Sequence, residues 1–342
     1  NPYQDLPERA FWKLAVDGKQ AAAIAQLWEP RFPIDRQTSI VTVGSCFAQH
    51  IGRALRGAEY RWLDAEPCAF LCESEREAFG YGLFSFRTGN IYTAALLKQW
   101  LSWALGKSAV PTEIWQSQGR WLDPFRPAIE PDGFESAEEL LALRSQTLAA
   151  IRHAVHDADV WVFTLGLTEA WRNTQAGYWY PMCPGTVGGE FDPSTHAFHN
   201  FSHAEVTQDV RDVIALVRGV KPGARFLFTV SPVPLTATAS GDHVLVATEH
   251  SKSTLRSVVG ELVRMDGGLD YFPSYEIITG HPFRGAFFSD NMRTVKPEGV
   301  TFVMRHFFSA IQAGEARESQ AAVDYADDPQ CEDALLEAFG KK

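Results

Sequence analysis

Gly44-Ser45-Cys46 follows the apolar run Ile40-Val41-Thr42-Val43 and precedes Gln49 to Arg56, where Ile51 and Leu55 share one helical face. A serine at such a strand-to-helix turn sits at the carboxyl end of a strand, where open α/β sheets bind ligands. The N–H groups at the head of the helix lie beside it, ready to receive negative charge. The chemistry that fits is nucleophilic attack by Ser45 on an acyl carbon. The same position also suits a helix N-cap, for which serine is a preferred residue. Cys46 is the competing nucleophile, because a helix N-terminus favours a thiolate. A residue next to the serine points the other way, however, and cysteine is among the most buried residue types, so Cys46 is assigned to the core. His50 lies five residues after Ser45, about 500° of helical rotation, and faces away from it.

Around this turn, strand-like apolar runs alternate with helical patterns as in a parallel α/β sheet, without internal repeats. Val160 to Leu165 reads as a buried strand ending at Gly166. Arg225 to Val230 reads as another, ending at Ser231-Pro232-Val233-Pro234, and Leu269 to Phe272 as the last. Helices are predicted over 91–105, 137–155, 205–217, 251–263 and 298–311. The second has a capping box in Ser136 and Glu139, and the last has Pro297 at its start. The domain is expected over 40–312, after an N-terminal arm (1–39) and before a charged, alanine-rich tail (313–342). Two segments, about 58–135 and 177–200, read as insertions on the strand C-terminal rim, where long loops serve binding.

The pentapeptide Gly44-Ser45-Cys46-Phe47-Ala48 is the motif that gives the GSCFA family its name, and further segments resemble that family in its own order. They are Phe84-Ser85-Phe86-Arg87-Thr88-Gly89-Asn90-Ile91, Thr164-Leu165-Gly166, Thr229-Val230-Ser231-Pro232-Val233, Ser251-Lys252-Ser253 and Tyr271-Phe272-Pro273-Ser274-Tyr275-Glu276-Ile277. The resemblance covers Ile40 to Phe308. The family itself looks like a divergent branch of the SGNH (GDSL-type) hydrolases. That likeness implies a flavodoxin-like three-layer α/β fold around a parallel sheet, with Ser45 as nucleophile. In the SGNH pattern the oxyanion is held by the backbone N–H beside the serine, here within Gly44-Ser45-Cys46, by a second-block glycine and by a third-block Asn. The third block here is Gly166-Leu167-Thr168-Glu169, so Thr168 stands at the Asn position and offers a hydroxyl. Gly89 and Asn90 are placed to contribute the remainder.

Acyl transfer also needs a base and a group that orients it. SGNH enzymes take both from a late Asp-x-x-His. Counted onward from Tyr271, those positions fall on Asn291-Met292-Arg293-Thr294, where neither residue type stands. Either another histidine is recruited or the usual triad does not operate. Of the ten histidines, His153, His156 and His306 lie on helices away from the rim. His243, in the loop that follows the strand ending at Val230, is the first candidate, and His199 in Phe198-His199-Asn200-Phe201 is the next. Imidazole suits the task because its unperturbed pKa lies near neutrality. Glu169 is the candidate to orient it.

Trp171, Tyr178, Trp179, Tyr180 and Tyr275 offer faces for pyranose rings, and Arg87, Asn90, Arg172 and Glu276 offer partners for hydroxyls. Lys252, Arg284 and Arg293 suit a carboxylate or phosphate. The expected function is a serine-dependent O-acyl esterase or acyltransferase acting on a carbohydrate through an acyl-enzyme. The alternative is a catalytically inactive glycan-binding protein on the same fold. No cofactor is expected; a transferase would use a donor such as acyl-CoA, although no phosphate-cradling Gly-rich loop is present. A metal enzyme built on His196, His199 and His203 lacks an adjacent fourth ligand, and Cys68 and Cys72 have no second pair, so no metal site is expected.

A chain of 342 residues, 45% of them hydrophobic, can bury a large core. Its net charge of -11 and lack of a Lys/Arg block weigh against a nucleic-acid partner. No stretch approaches the roughly 20 apolar residues of a membrane span. Asn1 to Asp5 carries no signal pattern, so a cytoplasmic location is expected, with the periplasm as the alternative for a chain whose signal has been removed. The five cysteines are odd in number and scattered, unlike a disulfide framework. Nothing in the sequence speaks to oligomeric state.

Overall fold

The structure, a computed structural model, describes residues 1–312 and 332–340. Its strands are β1 (Ile40–Gly44), β2 (Trp115–Ser117), β3 (Arg120–Leu122), β4 (Val160–Leu165), β5 (Glu169–Asn173), β6 (Trp179–Tyr180), β7 (His196–Asn200), β8 (Arg225–Val230) and β9 (Leu269–Tyr271). Its α-helices are α1 (Trp12–Ala15), α2 (Phe47–Gly57), α3 (Glu73–Ala78), α4 (Ala94–Ala104), α5 (Ala137–Asp157), α6 (His203–Arg218), α7 (Val244–Met265), α8 (Ser274–Thr279) and α9 (Pro297–Ile311).

β1, β4, β8 and β9 pair in parallel in that order, with Val41 opposite Trp161, Val162 opposite Leu227 and Phe228 opposite Tyr271. Every residue of β1 and β4 is buried, the condition of a parallel sheet covered on both faces. Val41, Val43, Trp161, Phe163, Leu165 and Phe228 face one apolar cluster with Leu97 and Trp100 of α4, Ile151 of α5, Val210 of α6 and Val258 of α7. Ile40, Val160, Val162 and Leu227 face the other, with Ile51 and Leu55 of α2, Ile277 of α8 and Phe307 of α9. The protein is therefore a three-layer α/β sandwich.

Beyond β1 the chain makes one further parallel rung. Ile40 bridges Trp62, Leu63 N–H donates to Ile40 O at 2.8 Å, and Ile40 N–H donates to Arg61 O at 3.0 Å. Trp62 Nε1 also donates to Thr42 Oγ1 at 2.8 Å. Counting this rung as a strand gives the 2-1-3-4-5 order, whose direction reverses between β1 and β4.

Two helices start away from their predicted positions in ways that bear on the site, and a third differs in its cap. α4 starts at Ala94, not 91, because Ile91 N–H is taken by Gly44 O at 2.8 Å and Thr93 Oγ1 caps Leu96 N–H at 3.2 Å. α7 starts at Val244, not 251, which makes His243 its N-cap rather than a loop residue. At α5, Ser136 accepts from Glu139 N–H at 3.1 Å, but the Glu139 carboxylate reaches Glu135 N–H at 2.8 Å, so half of the predicted capping box forms.

The segments read as insertions carry structure of their own. Within 58–135, α4 joins the main core, and a buried ionic knot ties the remainder to α5. Asp123 accepts from Arg126 Nε at 2.9 Å and from Arg144 Nη2 at 2.9 Å, and Arg126 Nη1 donates to Thr147 Oγ1 at 2.7 Å. Within 177–200, β6 and β7 flank β5 in an antiparallel sheet. The arm docks through buried Ile24, Phe32 and Ile34, and Trp28 stacks on Phe307 at 5.5 Å. Of the tail over 313–342, residues 332–340 form a 3-10 helix and the others lie outside the described residues. Among the described residues, no helix is long and apolar enough to cross a membrane.

Candidate active site

β1 ends on Gly44 with φ of +130°, and a β-carbon there would lie 2.2 Å from Thr164 O. Only glycine permits so close an approach between neighbouring strand ends. The chain then turns into α2, with Ser45 N–H donating to Thr164 O at 3.0 Å and Ser45 O accepting from Ala48 N–H at 2.8 Å. Ser45 is 2% exposed, and among the described residues its hydroxyl has no hydrogen-bond partner. Buried polar groups are nearly always paired; the hydroxyls of Ser39 and Thr164 are also buried without a partner among the described residues, and of the three it is Ser45 that lines a cleft.

Ser45 lines a narrow cleft with Cys46, Tyr92, Gly166, Leu167, Ser231, the stretch Val233 to Leu235, and Lys252. About 10 Å³ of it is open, room for one water molecule. Three strand ends meet there: Ser45 follows β1, Gly166 follows β4 and Ser231 follows β8. The cleft opens beside the reversal point between β1 and β4, where this topology binds ligands. Lys252 comes from α7, is 2% exposed, and donates from Nζ to Gly166 O at 2.5 Å.

Of the residues singled out in the sequence, Ser45, Cys46 and Gly166 converge on this cleft, with Gly44 directly beneath. Gly89 and Asn90 run alongside, in the segment that Ile91 N–H pins to Gly44 O. Three of the expected oxyanion donors are engaged elsewhere. Ser45 N–H serves Thr164 O, Gly166 N–H donates to Tyr92 O at 2.9 Å, and Thr168 Oγ1 donates to Asn200 Oδ1 at 2.6 Å. Cys46 and Phe47 head α2, where backbone N–H groups lack intrahelical acceptors.

The expected bases lie apart from the cleft lining. His243 is exposed, and its Nδ1 accepts from Leu245 N–H at 3.2 Å, which fixes it as a helix cap. His199 on β7 pairs with Glu205 Oε1 at 2.9 Å and packs on Trp179 at 5.3 Å. Glu169 on β5 accepts from Thr238 Oγ1 at 2.6 Å; burial raises its pKa above the usual carboxylate value, partly offset by Thr238. His50 is buried and its pKa is lowered to about 3, by desolvation first and Arg53 second. His196 accepts at Nδ1 from Asp192 N–H, and His203 lies 3.7 Å from Glu261, so His196, His199 and His203 are directed to three different partners. Among the described residues, no group of three metal-ligating side chains comes together.

The predicted sugar-binding residues are distributed around the molecule. Trp171 is half-buried and meets Phe191 and Phe198 edge-on. Tyr178 and Tyr180 donate to Glu113, and Arg172 lies over Trp179. Arg87 is fully buried, with Nε donating to Phe79 O and Nη2 to Ile129 O. Glu276 accepts from Arg256 Nε and from Tyr271 Oη beside half-buried Tyr275. Asn291 Oδ1 accepts from Arg293 N–H and Thr294 N–H, closing a turn, and Arg293 lies 4.0 Å from Glu337.

The residue whose place the sequence reading missed is Lys252, expected to meet a substrate anion rather than to stand beside Ser45. A usable signal was present. With α7 running from Val244, Lys252 shares a helical stripe with buried Thr248, Leu255, Val259 and Leu262, an unusual place for a lysine.

The GSCFA family model matches residues 39–307, a span that includes every residue lining the cleft. Neither the curated proteins nor the solved structures compared with this chain gave a match.

Proposed function

The chain belongs to the GSCFA family, and from that premise we propose that it is an SGNH-type serine O-acyl esterase or acyltransferase acting on a carbohydrate. The observation that carries this reading is the Ser45 hydroxyl, buried and unpartnered among the described residues, at the strand end that opens into the cleft. Attack of Oγ on an ester carbonyl forms an acyl-enzyme, and the amides at the head of α2 are the donors proposed for the oxyanion. A cleft with room for about one water must widen to admit any ester, which favours the smallest acyl group, acetyl. The β5–β6–β7 sheet, which begins three residues after Gly166 and carries Trp171 and Trp179, is the platform proposed for the sugar. The test is release of acetate from acetylated oligosaccharides: wild type turns over and Ser45→Ala does not.

A second reading is a glycan-binding protein without catalysis. It is favoured by one observation, that Asn291 to Thr294 forms a hydrogen-bonded turn where SGNH enzymes carry their acid and base. On that reading Ser45→Ala and wild type bind glycans alike and neither releases acetate.

A further inference from the structure

Lys252 is buried in the cleft that Ser45 lines rather than held out in water. Gly166 joins the two. A β-carbon added to it would sit 3.2 Å from Ser45 Cβ, and its carbonyl accepts from Lys252 Nζ at 2.5 Å. Ser45 Oγ has no hydrogen-bond partner among the described residues, and the cleft that both side chains line has room for about one water, through which a general base can take the Oγ proton. Burial of an amine favours its neutral form, and a neutral amine that donates to Gly166 O keeps a lone pair with which to accept a proton. Among the described residues lining the cleft, Lys252 is the one whose neutral side chain is a base of useful strength; Cys46 and Tyr92 are acids, and the serines are weaker.

Resting on the assignment of Ser45 as nucleophile, we propose that Lys252 is the general base, so that the site is a serine–lysine pair rather than a serine–histidine triad. Nζ takes the Oγ proton as Oγ bonds to the acyl carbon and the carbonyl π electrons move onto oxygen. The tetrahedral intermediate then expels the sugar oxygen, which takes its proton from the Lys252 ammonium. In the second half, Nζ takes a proton from the incoming water or hydroxyl. It returns that proton to Ser45 Oγ when the acyl–serine bond breaks.

The test is the rate at which a serine-directed fluorophosphonate modifies the full chain, read by intact mass for wild type, Lys252→Met and Lys252→Arg, with folding verified by Tm. Arg keeps a donor toward Gly166 O and carries a fixed positive charge that it does not give up, so it separates a base from a charge or a strut. Both variants are expected to label about 10²- to 10⁴-fold more slowly than wild type. Should Lys252→Met fail to fold, Lys252→Arg carries the same readout. A folded variant that labels within about threefold of wild type overturns Lys252 as base while leaving Ser45 as nucleophile. A wild type that does not label at all overturns both.

Discussion

Gly44 Cα lies so close to the Thr164 carbonyl that a β-carbon at position 44 would approach its oxygen to 2.2 Å, at a φ of +130°. The contact fixes how β1 leaves the sheet and hence where Ser45 points. Gly44→Ala combines a backbone clash with a left-handed φ, so it should cost about 3 kcal/mol or more and abolish Ser45 labelling together with folding. Urea unfolding checks this.

Asp123 lies between Arg126 and Arg144 with no solvent exposure. Burial pushes its carboxyl up, but the two guanidinium groups outweigh burial and hold it below its ordinary value of 3.8. A depressed carboxylate contributes stability that is present above the unfolded pKa and lost as pH falls through the native one. Wild type should therefore weaken on acidification below 3.8. Asp123→Asn, which leaves two buried cations facing a neutral amide, should cost about 3–5 kcal/mol at neutral pH and show a shallower acid limb. Denaturant titrations at several pH values separate the two.

Burial first, and then the Glu113 carboxylate, push the Tyr178 hydroxyl up to about 12. A raised tyrosine contributes stability that is present below the unfolded value of 10.0 and lost as pH rises through the native one. Glu113→Gln should let Tyr178 and Tyr180 ionise at lower pH, seen as an earlier rise in tyrosinate absorbance.

His243→Ala removes a cap on Leu245 N–H and should cost about 1 kcal/mol. With Lys252 as the base, His243→Ala and His199→Ala should both label at the wild-type rate. Loss of labelling in folded His243→Ala would return the base to that histidine.

The strands β1, β4 and β8 were readable as unbroken apolar runs, because a parallel strand is buried on both faces and leaves a continuous signature. Ser45 was readable because glycine and a helical stripe bracket it. The β5–β6–β7 sheet was not: its strands are short and half-buried, so alternation is weak, and β7 returns to β5 only after a Gly- and Pro-rich loop. The start of α7 was missed because its N-cap is His243 rather than Ser, Thr, Asp or Asn, and that error hid the buried stripe holding Lys252. Thr168 is matched to a motif position, but its hydroxyl is spent on Asn200, which only the fold reveals.

The central claim is that Ser45 is an activated nucleophile. Intact-mass spectrometry after incubation with a serine-directed fluorophosphonate tests it most directly, on wild type, Ser45→Ala and Cys46→Ala. The expected result is a single adduct on wild type and Cys46→Ala and none on Ser45→Ala. A folded wild type that takes no adduct, or an adduct that persists in Ser45→Ala, contradicts it.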